Sequence, residues 1–148
     1  MLGLGRLIGL ALVAVVAATN LAAAESVAEF YAGKTFTIVV GSDVGGGYDT
    51  NARLLSRHIG KFIPGNPTVI VQNRPGAGSI TAANYIYNTA PKDGTVIGMV
   101  QRGIPLFKLT GQPGVQYDPE KYTWIGNMSS ETGVVMVWHT SPITKTEE

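Results

Sequence analysis

Residues 43–49, Asp-Val-Gly-Gly-Gly-Tyr-Asp, separate an apolar β-branched run, Phe36-Thr37-Ile38-Val39-Val40, from a stretch with helical periodicity between Thr50 and Ile63. A strand, a glycine turn and a helix start make an anion cradle. Glycines lack Cβ, so the backbone can turn tightly and bring its N–H groups close to a ligand. The helix start behind them adds about half a unit of positive charge. On the predicted helix Leu55, Ile59, Phe62 and Ile63 recur on one face, while Arg53, Arg57 and Lys61 fall on another. Gly60 weakens the helix locally and Pro64-Gly65 ends it.

The same pattern returns downstream. Thr68-Val69-Ile70-Val71-Gln72 reads as a strand, Asn73-Arg74-Pro75-Gly76-Ala77-Gly78 as its loop, and Ser79 as the cap of a helix running to about Thr89. Ile80, Ala83, Ile86 and Tyr87 are expected to face the sheet. Pro91-Lys92-Asp93-Gly94 is a turn, and a third strand from Thr95 to Val100 leads into Gln101-Arg102-Gly103-Ile104-Pro105 and a short helix ending by Leu109. Before all of these, residues 26–33 are expected to form one or two helical turns. Strands alternating with helices imply an α/β fold with a doubly wound, mainly parallel sheet, in which ligands bind outside the carboxyl ends of the strands. Beyond Gly111 the pattern changes, and Trp124-Ile125-Gly126 and Gly133 to Trp138 read as further short strands.

The chain opens with Arg6, an apolar run from Leu7 to Ala18 and a small-residue stretch Ala22-Ala23-Ala24, the pattern of a cleaved secretory signal peptide. Thr19 and Asn20 interrupt the run short of the ~20 residues that a membrane span needs. The expected organisation is a signal peptide at 1–24, a first α/β ligand-binding domain at 25–138, and at 139–148 the start of a crossover to a second domain. On this reading the chain stops inside a larger protein. Cleavage would remove Arg6 from the eleven Lys and Arg, leaving ten against ten Asp and Glu. A near-zero charge does not favour a nucleic-acid partner. With no cysteine, stability has to come from packing rather than disulfides.

An enzymatic reading finds little support. There is no thiol nucleophile and no G-x-S-x-G elbow, and the only histidines, His58 and His139, lack the paired spacing of a zinc site. No catalytic residue, metal or cofactor is therefore assigned. Nucleotide binding fails on detail: Gly45-Gly46-Gly47 is followed by Tyr48-Asp49 rather than Gly-Lys-Ser/Thr, and the first strand–helix junction lacks G-x-G-x-x-G. Asp49 would repel a second carboxylate unless it is turned away or occupied, and loop organisation as an N-cap is favoured over ligand contact. Arg74 could pair with a carboxylate through its planar fork or brace its own loop. Tyr48 and Arg102 lie on loops at the same edge, with directions that the sequence leaves open.

Gly45-Gly46-Gly47-Tyr48-Asp49 with Ala52-Arg53, followed by Gln72-Asn73-Arg74-Pro75-Gly76-Ala77-Gly78, resembles the paired signature of Bug-type solute receptors, the periplasmic binding proteins of tripartite tricarboxylate transporters. The resemblance continues through Ala83-Asn84, Ala90-Pro91-Lys92-Asp93-Gly94-Thr95 and Trp124-Ile125-Gly126. It implies a monomeric, periplasmic, two-domain hinged receptor that captures a small organic acid and passes it to membrane permease subunits. A sensory receptor of the same fold, presenting its ligand to a signalling partner, is the alternative. The resemblance also implies ligand contacts from Gly45, Gly46, Gly47, Tyr48 and Asp49 and from Pro75, Gly76, Ala77, Gly78 and Ser79; Arg74 and Arg102 are further candidates from their loop positions alone. The family commonly has proline at the position of Val44 and a small residue at that of Tyr48, which implies a different local shape here.

Overall fold

The computed structural model describes residues 25–129 and 136–142. Residues 1–24, the first half of the expected Gly133–Trp138 strand and the end of the chain lie outside these. The first described element is a short helix, α1 (Val27–Tyr31), set by a capping box. The Ser26 hydroxyl accepts from the Glu29 amide at 3.2 Å, and the Glu29 carboxylate accepts from the Ser26 amide at 2.8 Å. Tyr31 then ties α1 to the sheet through a 2.9 Å bond from its hydroxyl to the Gly94 carbonyl.

Three strands follow, β1 (Thr35–Val40), β2 (Thr68–Asn73) and β3 (Val96–Met99), ordered β2-β1-β3 and all parallel. Central β1 is covered on both faces, and Ile38, Val39 and Val40 are fully buried, each contributing roughly 1.5–3 kcal/mol. The register sets Val40 level with Asn73 on one side and Met99 on the other, so the three loops start at the same height. The three loops therefore gather at one edge of the sheet.

Helix α2 (Gly47–Ile59) packs on one face, where Ala52, Leu55, Ile59 and Ile63 meet Phe36, Ile38 and Val40. It begins three residues before the expected Thr50 and passes into a 3-10 turn, Gly60–Phe62, before Ile63. Phe62 departs from the periodic pattern, because the tighter turn rotates it away from the sheet and leaves it 76% exposed. Helix α3 (Ile80–Asn88) contributes to a second cluster, in which Ile80 and Ala83 pack with Ile104 and Tyr117 and with the half-buried Tyr87 and Tyr122. Ile86 lies over Gly98 of β3 so closely that a Cβ there would stand 2.4 Å from its methyl. Helix α4 (Ile104–Phe107) closes this side.

The expected strand at Trp124-Ile125-Gly126 does not form. The Trp124 indole instead donates to the Pro119 carbonyl at 3.0 Å and its ring stands edge-on to Tyr122, so local contacts hold this segment rather than a ladder. Residues 136–138, the described end of the Gly133–Trp138 segment, are likewise outside any strand. Among the described residues no helix is long and apolar enough to cross a membrane.

Candidate functional site

Strand alternation puts Val69, Val71 and Asn73 on the α2 face of β2, so the Asn73 amide reaches the first turn of α2. There it meets Asp49, which is buried. One carboxylate oxygen accepts from the Gly45 amide at 2.8 Å and from Arg53 Nε at 2.9 Å, and the other accepts from Asn73 Nδ2 at 2.8 Å. Arg53 Nη2 then donates to Asn73 Oδ1 at 3.1 Å, and Asn73 Nδ2 also donates to the Ser42 carbonyl at 3.0 Å. The three side chains close a ring. The Arg53 hydrogen bond, followed by those from Gly45 and Asn73, holds the Asp49 carboxyl far below the usual carboxylate range, and the same bond raises the Arg53 guanidinium above its ordinary value.

This geometry corrects two expectations. Asp49 is not the N-cap of α2: Gly46 holds that place, with extended backbone and no side-chain cap, and Asp49 sits in the first turn. Its carboxylate folds back to the Gly45 amide, so it organises the loop from inside the helix. Arg53, placed by periodicity on the wet face, bends back onto Asp49 because a buried carboxylate needs a cation beside it. With Arg53 as counter-charge, Asp49 does not repel an incoming anion.

The three glycines serve different ends. Gly45 has φ +85°, a region costly for residues with Cβ. At Gly46 a Cβ would press on the Asp43 carbonyl at 3.3 Å and the Ser42 hydroxyl at 3.4 Å. At Gly47 neither constraint applies, since a Cβ would meet nothing within 4 Å and the backbone is that of an ordinary helical residue. Gly47, Tyr48 and Asp49 occupy the first turn of α2, where amides have no intrahelical acceptor, and the cap supplies none. Beside them the Cβ direction of Gly47 is open.

The second loop is strained. Gly76, Ala77, Gly78 and Ser79 have φ of +128°, +46°, +62° and +73°, and for the two residues with Cβ this costs about 1–2 kcal/mol each. Ser79 was expected to cap α3; instead it takes the left-handed conformation and makes no cap. Its hydroxyl is drawn to the end of β1, donating to the Gly41 carbonyl at 2.9 Å and accepting from the Gln101 amide at 3.1 Å. A Cβ on Gly41 would fall 2.3 Å from this hydroxyl, so the close approach of the two chains demands glycine there. One buried hydroxyl thus joins β1, the second loop and the third.

Pro75 and Gly76 are exposed at the start of the second loop. Arg74 donates its amide to the Val40 carbonyl at 2.8 Å and lays its guanidinium 3.6 Å from the centre of the Tyr85 ring, bracing its loop against α3. Its Nε is buried with no hydrogen-bond partner. Tyr48 packs its ring against the α2-face core, and its hydroxyl accepts the Arg102 amide at 3.2 Å, linking the first loop to the third.

The structure therefore places Gly45–Asp49, Ser79 and Arg102 in one linked arrangement and carries the Arg74 guanidinium onto Tyr85. Sequence reading did not single out Asn73, Gly41 or Gln101 as organisers of the site. The Asp49–Arg53 spacing of four was a usable signal, but the reach of Asn73 needed the strand register. A separate depression of about 370 Å³, lined by Glu25, Val27, Phe30, Tyr31 and Asp93, lies at the amino ends of the strands. Its two carboxylates make it unsuited to an anion. Among the described residues no three His, Cys, Asp or Glu side chains gather to hold a metal.

No family model matches the chain. It is similar to a protein of Cupriavidus necator described as a UPF0065 protein in the gbd 5' region, with 33% identity over 138 residues. The match takes in 91% of this chain and spans 41% of the length of that relative.

Proposed function

We propose that these residues form the first ligand-binding wall of a Bug-type solute receptor, a family that the UPF0065 relative supports, and that the cargo is a small carboxylate. In this reading the amides of Gly47, Tyr48 and Asp49 and the strained loop Pro75–Ser79 hold one carboxylate group, in part through ordered water. A second domain, carried by a longer chain, would close over the other end of the acid. Hinge closure would then present the loaded form to membrane permease subunits in the periplasm, with residues 1–24 acting as the export signal.

The observation that carries this reading is Gly47. Neither its backbone angles nor its neighbours require glycine, yet it stands at an uncapped helix start with its Cβ direction open. A ligand that approaches the backbone there supplies the missing reason. Gly47→Val is therefore expected to keep the fold and to weaken carboxylate binding by on the order of tenfold or more, because the branched side chain fills the space above the orphan amides. Titration of the chain with succinate and citrate, followed through the amide resonances of residues 45–49, reads the loss directly. Unchanged titration in a folded Gly47→Val protein would place the ligand elsewhere.

A further inference from the structure

We propose that the Tyr48 hydroxyl is a specificity-determining donor that reads a second oxygen of the ligand, so that the site selects acids bearing a hydroxyl beside the carboxylate over their deoxy analogues. The inference rests on the carboxylate reading above and adds the chemical class of acid. A phenol carries one proton and acceptor lone pairs. At Tyr48 the acceptor side is engaged by the Arg102 amide at 3.2 Å, while no acceptor among the described residues takes the phenolic proton. An O–H whose oxygen already accepts a bond is more strongly polarised and is fixed in place.

Position makes this proton useful. The ring packs against the buried cluster of Phe36, Ile38, Val40 and Ala52, and the hydroxyl meets the Arg102 amide, so it is fixed between the first and third loops. Tyr48 lies in the same first turn as Gly47, whose Cβ direction is open, and its own amide is one of the orphan donors. A carboxylate on those amides brings its neighbouring carbon toward the phenol. An oxygen there accepts the proton; a methylene there leaves a polar group unpaired when water is displaced.

The test pairs acids that differ by one hydroxyl, malate against succinate and lactate against propionate, in titrations of the parent chain and of Tyr48→Phe. The parent is expected to prefer the hydroxy acid of each pair by on the order of tenfold, and Tyr48→Phe to bring that ratio close to one, any loss shared equally by both acids reporting only the broken link to Arg102. A ratio untouched by Tyr48→Phe, with or without such a shared loss, overturns the assignment while leaving the carboxylate site standing. Failure of all four acids to bind the parent chain overturns both.

Discussion

The first loop is fastened on its two sides by unlike chemistry. Toward β2 it is held by a charged ring, Asp49–Arg53–Asn73, in which both carboxylate oxygens are used and the amide of Gly45 is tied in as well. Toward β3 it is held by a neutral bond from the Arg102 amide to Tyr48, and the neighbouring Ser79 hydroxyl secures the second loop with two more. On the charged side three donors converge on Asp49, and the Ser42 carbonyl gives Asn73 a second hold on the loop. The neutral side leaves a proton to spare. Rigidity and recognition are thus divided between the two flanks of one loop, and that division can be broken one flank at a time.

The largest effect is expected at Asp49. Asp49→Asn presents an amide to three donors, from Gly45, Arg53 and Asn73, and at least one of them is left facing another donor. The melting temperature should fall by on the order of 10 °C at neutral pH, since breaking a connected buried network is among the costly classes of substitution. The pH dependence has a definite sign. The folded carboxyl lies below its unfolded value, so its stabilisation is fully present above the ordinary aspartate value of about 4 and is lost as pH falls through the lowered folded value. The gap between parent and variant should stay constant above about pH 5 and close on acidification. A gap that instead widens toward acid would show that Asp49 is not held ionised by this ring.

A smaller loss is expected where the two loops meet. In Gly41→Ala the new methyl would overlap the Ser79 hydroxyl and Cβ, neither of which is the far end of a flexible chain. Destabilisation of about 1–3 kcal/mol by urea unfolding follows, with Ser79 displaced from Gln101. Retention of parent stability would mean that the two segments are held less tightly than their hydrogen bonds suggest.

The smallest effect separates strain from bonding at Ser79. Ser79→Ala removes both hydrogen bonds and keeps the left-handed strain, whereas Ser79→Gly removes the bonds and relieves the strain. The glycine variant should be the more stable of the two by about 1 kcal/mol. Equal stabilities would show that the loop relaxes its backbone once the hydroxyl is gone.

How far the sequence could be read varied with the range of the interaction. The helical turn after Ser26, the three strand–loop–helix units and the parallel sheet follow from spacing within a few residues, and the structure has them. Phe62 and Trp124-Ile125-Gly126 were misplaced by the same short-range logic. A 3-10 turn shifted the phase of the first, and contacts with Pro119 and Tyr122 outweighed strand propensity in the second.

Alone, the sequence determined that glycine loops follow β-branched strands and precede helices, because backbone freedom and hydrophobic period are local properties. Only the tertiary structure decided what the polar residues of those loops do. Asp49 meets Asn73 because β1 and β2 pair in one register, and Ser79 turns left-handed because its hydroxyl has to reach the Gly41 carbonyl across two segments. A buried polar group takes the partner that folding brings to it, and Asn73 and Gly41 stand 24 and 38 residues from Asp49 and Ser79, outside any local pattern.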